Sequence, residues 1–289
     1  MRLIATLAVL SPLLVLTAAE SYRESVERYR REREARLLRD DGWLTVAGLF
    51  WLKEGENTVG SGAGNEIRLS GESAPERVGS FLFRKGKIVF FAERGAGVTA
   101  NGAPVTSIEM RPDKEGPPTV IALGDLAMQV IQRGERLGIR LRDKNSKFRR
   151  AFRGLEWFPI NEAWCVTARF VPHAAAKTIA VPNVLGDIER RPSPGYVVFT
   201  LDGKEYRLEP VTEENRLFFI FKDLTSGKET YPAGRFLYAE MPTDGKVELD
   251  FNKAYNPPCA FTPYATCPLP PKQNRLAVRI SAGEKRYGH

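Results

Sequence analysis

The chain has 289 residues, 43 Lys and Arg against 35 Asp and Glu, a formal net charge of +8, and two histidines, His173 and His289. So few histidines exclude a multi-histidine zinc site and the His-Glu-x-x-His helix of a metalloprotease. The opposite charges are interleaved through most of the sequence. That mixture opposes nucleic acid as a partner and describes solubility rather than a site.

The N-terminus comes first. Met1 and Arg2 are followed by an apolar stretch, Leu3 to Leu16, and then by the small residues Thr17, Ala18 and Ala19. Charge, apolar run and small-residue exit predict a secretory signal peptide over 1–19, cleaved near Ala19, and hence a periplasmic or secreted mature chain. The run is shorter than the ~20 residues of a spanning helix and carries Pro12, and no later segment is apolar enough to span a bilayer. The remainder is long enough for one large or two small cores.

Residues 20–41 are predicted to form one amphipathic helix. Tyr22, Val26, Tyr29 and Leu37 recur at helical spacing with Arg33 filling the gap, and Asp40-Asp41-Gly42 ends the pattern. Beyond Gly42, short runs rich in Val, Ile, Phe and Tyr alternate with turn residues. Lys85-Gly86, Asn101-Gly102, Asp202-Gly203 and Asp244-Gly245 each separate or precede such runs. Asn-Gly and Asp-Gly supply the positive φ angles of tight hairpins, so antiparallel sheets are expected. In 246–251, Val247, Leu249 and Phe251 share one face, while Glu248 and Asp250 share the other. The fold expected is mainly β. A small antiparallel β-sandwich over 42–125 is followed by an antiparallel barrel or sandwich over 126–289. The densest basic segment, Arg140 to Arg153, reads as a solvated turn with strand edges in preference to a patch for an anionic ligand.

Cys165 lies in an apolar run and reads as a buried free thiol. Cys259 and Cys267, eight apart across a proline-rich loop, form a candidate disulfide or thiol site, since export permits disulfides. Cys259, Cys267 and His173 with a carboxylate would make a zinc set, at wider spacing than paired cysteines usually show. Cys259 with His173 would make a nucleophilic dyad only if the fold joined them. No Gly-x-Ser-x-Gly elbow is present, and Gly60, Gly62 and Gly64 lack the lysine and hydroxyl of a phosphate loop. None of these motifs demands a cofactor.

Several blocks carry a resemblance. They run from Phe221 to Leu237, from Asp250 to Phe261 and from Cys267 to Pro271, with Asn274-Arg275-Leu276 and Ala282-Gly283-Glu284 beyond. With Asp41 to Leu44 and Gly48 to Leu52 they resemble the bacterial family catalogued as domain of unknown function 1684. That resemblance implies a fold and motif positions without an activity. In the N-terminal half, Thr58-Val59-Gly60, Asn65 to Leu69 and Val98 to Gly102 are similar in order to a forkhead-associated β-sandwich. Gly60 is followed by Ser61 rather than arginine, and no histidine occurs before His173. The resemblance therefore implies the sandwich and not its phosphothreonine site.

Candidate ligand-binding residues gather between Arg235 and Cys267. Asp250 is an acid/base or polar anchor beside Asn252, Tyr255 and Tyr264 are stacking walls, and Arg235 contacts a carboxylate or phosphate. The competing reading makes Arg235 and Asp250 a structural ion pair, the tyrosines rim packing and the cysteines a clamp. The expected function is binding of a small polar or anionic ligand. A hydrolase using Asp250 or Cys259 and a structural envelope protein are the alternatives.

Overall fold

The computed structural model describes residues 20–69 and 74–288; the expected signal peptide lies outside them. The N-terminal helix spans Tyr22–Leu38. Ser21 caps it by accepting from the Glu24 amide, while Glu24 reaches back to the Ser21 amide at 2.8 Å. Such a box satisfies two donors that a helix start otherwise leaves open. The helix buries Val26, Arg33 and Leu37. It stops where Gly42 passes so close to the Leu37 and Arg36 carbonyls that no Cβ would fit.

Two sheets form the first sandwich. One orders Val46–Trp51, Arg136–Asp143, Leu126–Arg133, Val120–Leu123, Thr99–Ala100 and Ala103–Pro104; the other orders Ile67–Arg68, Gly55–Gly60, Gly79–Arg84, Lys87–Ala92 and Ser107–Glu109. Their inner faces share a core that includes Val59, Phe81, Phe90, Ile121, Val130 and Ile139. All pairings here are antiparallel except the short parallel one between Gly55–Gly60 and Ile67–Arg68. The expected boundary at 126 falls inside this unit. Leu126–Arg133 pairs with both Val120–Leu123 and Arg136–Asp143, so the sandwich continues to Asp143.

The second half stacks a four-stranded sheet on a three-stranded one. The first orders Lys204–Leu208, Ile188–Leu201, Cys165–Pro182 and Lys246–Asp250; the second orders Val211–Glu213, Arg216–Phe221 and Arg235–Ala239. Val197, Phe199, Leu217, Phe219, Leu249 and Phe251 fill the space between. The sheets do not close on each other, so of the two expected forms the sandwich is present and the barrel is not. The C-terminal segment completes this core without joining a sheet: Leu276, Val278, Ile280 and Ala282 alternate inward.

The four turns read from sequence adopt left-handed backbone, with φ near 50° at Lys85, Asn101, Asp202 and Asp244, each followed by a positive-φ glycine. The Glu214-Asn215 turn does the same with φ of 48° and 59°, without a glycine to announce it. No helix among the described residues is long and apolar enough to cross a membrane.

Candidate functional site

The site is built on the strand Arg235–Ala239 and the chain that returns beside it. Phe236 and Tyr255 exchange both backbone hydrogen bonds at 2.9 Å, which sets Tyr255 next to Tyr238. Their rings stack at 6.3 Å and 14°, and Phe218 stacks on the other side of Tyr238 at 4.7 Å. Guanidiniums flank this ladder: Arg33 lies 4.7 Å over Tyr255, and Arg216 lies 4.3 Å over Tyr238. Aromatic faces carry negative potential, so they hold cations in such positions. Tyr238 donates to Glu213 at 2.9 Å, and Glu213 also takes Arg191 at 2.5 Å. Burial, with Glu213 beside it, raises the Tyr238 phenol well above its ordinary value.

A cavity opens on each side of the ladder. The larger, about 740 Å³, is reached by Tyr29, Arg36, Lys246, Glu248 and Asp250; the smaller, about 460 Å³, by Trp43, Arg133, Arg191, Phe218 and the proline-rich loop. Arg33, Tyr238 and Tyr255 belong to both. The loop contributes Pro258, Thr266, Cys267 and Pro268 to the smaller cavity, and Arg133 of the first sandwich donates to Thr266 at 2.8 Å. The two halves of the chain therefore meet at its wall.

Of the residues singled out in sequence, Tyr255, Asp250 and Cys267 line these cavities, on different terms. Asp250 is 5 % exposed and is held by Tyr22 at 2.8 Å, the Asn252 amide at 3.1 Å and Lys253 at 3.1 Å. The strand pattern placed it on the polar face, where Glu248 stays exposed, but Tyr22 from the helix covers Asp250 at the strand's end. Asn252 is fully buried, donating to Tyr22 and to the Asn161 carbonyl at 2.8 and 2.9 Å. Its work is to tie the helix and the 161 turn to the sheet end. Tyr264 stands apart, in a third cavity of about 400 Å³ with Phe148.

Arg235 does not reach a ligand, and it does not pair with Asp250. It is 1 % exposed, bound to Asp223 at 2.5 Å and to the carbonyls of Ala282 and Ile280. The expected Arg235–Asp250 ion pair is replaced by one with Asp223, twelve residues upstream.

The cysteines come together. The Cys259 amide donates to Cys267 Sγ at 3.1 Å, and the Cys259 thiol contacts the Ala265 carbonyl at 3.7 Å. The Cys267 contact lowers the Cys259 thiol, while burial raises that of Cys267. Cys165 is half-buried, not fully buried; burial and Asp250 push its thiol up to about 12. His173 pairs with Glu209 at 2.8 Å and lies against Tyr196, so the Cys259–His173 dyad is not formed. Among the described residues no group of three or more His, Cys, Asp and Glu is placed to hold a metal ion.

Trp43, Arg33, Arg191, Phe218, Tyr238 and Arg140 were not singled out from sequence as site residues. One signal was there: Arg33 interrupts the apolar stripe of the helix, and a charge in such a place needs a buried partner. It has one in Glu284, at 2.8 Å.

The fold and the cavities define a β-sandwich protein with an aromatic, arginine-flanked cleft. Residues 150–285 match the family described as "Protein of unknown function (DUF1684)". The solution NMR structure of an uncharacterized protein of Haloarcula marismortui is 32 % identical, covering 47 % of this chain and 78 % of that one, with a TM-score of 0.40. An FHA domain studied for phosphothreonine-dependent interactions is 22 % identical over 32 % of this chain and 92 % of its own, with a TM-score of 0.23. The FhaA FHA domain complexed with the intracellular domain of Rv3910 is likewise 22 % identical, over 32 % of this chain and 97 % of its own, at 0.23. No curated protein matches the chain.

Proposed function

We propose that the protein is an exported binding protein that holds a small anionic ligand with a flat or apolar body in the smaller cavity. One observation carries this reading. The 460 Å³ space is walled by Trp43, Phe218, Tyr238 and Tyr255 and flanked by Arg33, Arg133 and Arg191. Cavities of a few hundred Å³ suit small ligands. Aromatic faces stack on flat groups, and guanidinium forks match carboxylate and phosphate oxygens. The prolines of the 257–271 loop stiffen one wall, and the Leu269 amide ties the loop to the Pro182 carbonyl at the end of the strand Cys165–Pro182, at 2.7 Å.

The test is thermal unfolding of the mature protein against a panel of aromatic carboxylates and organic phosphates. At least one compound is expected to raise the midpoint in wild type, and Tyr238→Ala and Arg191→Ala are each expected to lose most of that shift. A panel that shifts nothing, or variants that respond like wild type, would end this reading.

Export carries its own expectation. With Cys259 and Cys267 in contact, the mature protein made in an oxidising compartment is expected to show one free thiol, Cys165, when denatured without reductant. Three free thiols would contradict it.

A further inference from the structure

Arg140 sits in the strand Arg136–Asp143, opposite Leu49 on one neighbour and Gln129 on the other. It is 4 % exposed. Its Nε and one terminal nitrogen are buried without a hydrogen-bond partner. The guanidinium lies 4.9 Å over the Trp43 ring, close enough to Arg133 for its charge to act on it, with Cys267 also nearby. Trp43, Arg133 and Cys267 all line the smaller cavity. Arg140 is not itself part of that lining but packs on one of its residues, Trp43.

The other cations around this cavity have acids of their own. Arg33 has Glu284, Arg133 has Asp113 at 2.9 Å, Arg191 has Glu213, and Lys114 has Glu189 at 3.6 Å. Asp113, the carboxylate whose charge reaches Arg140, is already spent on Arg133. Cys267 supplies no counter-charge, since burial keeps its thiol neutral. Burial and the neighbouring Arg133 and Arg142 pull the Arg140 guanidinium down to about 10. A buried cation without an anion is among the costliest features a fold can carry, and cation–π contact with one indole offsets little of that cost.

We propose that Arg140 is the anion seat of the smaller cavity, taking a compact oxyanion, carboxylate or phosphate, presented by the ligand. This rests on the reading of that cavity as a ligand site. Arg133 would stand beside the same group, while Tyr238 and Tyr255 hold the ligand body.

The experiment uses the full mature chain and two simple probes, inorganic phosphate and acetate, against sodium chloride at matched ionic strength. Wild type is expected to show a saturable rise in unfolding midpoint with one or both probes. The probe with the larger rise distinguishes phosphate from carboxylate chemistry. Arg140→Met is expected to melt at or above wild type without anion, because the unpaired charge is gone, and to lose the response. Arg140→Lys, which keeps the charge without the fork, is expected to respond weakly. Tyr238→Ala is expected to keep the phosphate response while losing that to aromatic acids.

A wild type blind to both probes overturns the proposal, as does an Arg140→Met protein that still responds. An Arg140→Met protein melting below wild type also overturns it, since the guanidinium would then be packing for Trp43. If aromatic acids shift wild type and Arg140→Met equally, the cavity reading stands and the seat falls. If nothing shifts wild type, both fall.

Discussion

Replacing Arg235 by alanine is expected to lower the unfolding free energy by about 3–5 kcal/mol, the usual cost of stripping one partner from a buried ion pair. Arg235 and Asp223 are both almost wholly removed from water, 2.5 Å apart. The guanidinium also holds the carbonyls of Ala282 and Ile280, and so pins the C-terminal segment to the strand Arg235–Ala239. Alanine would leave a buried carboxylate and two unpaired carbonyls together. For a chain of this size the midpoint should fall by roughly 6–20 °C. Burial already draws the guanidinium below its ordinary value, opposed by Asp223. Restoring a long apolar side chain while neutralising the acid, as in Arg235→Met with Asp223→Asn, should recover part of the loss. Thermal and denaturant unfolding check both, and an Arg235→Ala protein within about 1 kcal/mol of wild type would contradict this account.

The second large effect belongs to the helix. Arg33→Ala is expected to cost about 3–5 kcal/mol as well, because Glu284 is wholly buried and Arg33 is its ionic partner. Burial raises the Glu284 carboxyl above its ordinary 4.5, and Arg33 holds it back. Without Arg33 the folded-state value climbs further. An acid with a raised folded value binds more protons folded than unfolded, so stability falls as pH rises through the window between the two values. The Arg33→Ala deficit should therefore be larger at neutral pH than in mild acid. Adding Glu284→Gln should flatten that dependence, since the titrating group is gone. Denaturant midpoints at the two pH values decide it. A deficit that grows on acidification would place the loss elsewhere, for instance in the contacts of Arg33 with Tyr255 and Phe261.

Much of the fold was legible because strands and hairpin turns are local features. Val247, Leu249 and Phe251 are buried as their alternation predicts, and the Lys-Gly, Asn-Gly and Asp-Gly pairs turn where they stand. The boundary at 126 was misplaced for a non-local reason. Leu126–Arg133 has the same texture as any β strand, and only its pairing with Val120–Leu123 assigns it to the first sandwich.

The site was less legible. Asp250 lies on the outer face of its strand by pattern, but a tyrosine more than two hundred residues away covers it. Tyr255 was singled out from sequence, while Tyr238, its stacking partner, looked like any strand residue until the Phe236–Tyr255 pairing set the two side by side.

The sequence by itself determined the strand faces, the tight turns and the N-terminal helix, since each follows from propensity and periodicity within a few residues. Tertiary structure alone decided which charges are buried and with whom. Arg140 was one of seven basic residues in a segment that read as solvated, yet it lies behind Trp43 without an acid. Arg235 faces Asp223 and not Asp250, and Arg33 reaches Glu284 across most of the chain. Local pattern cannot carry such pairings, because the cost of burying a charge depends on what surrounds it after the chain has closed.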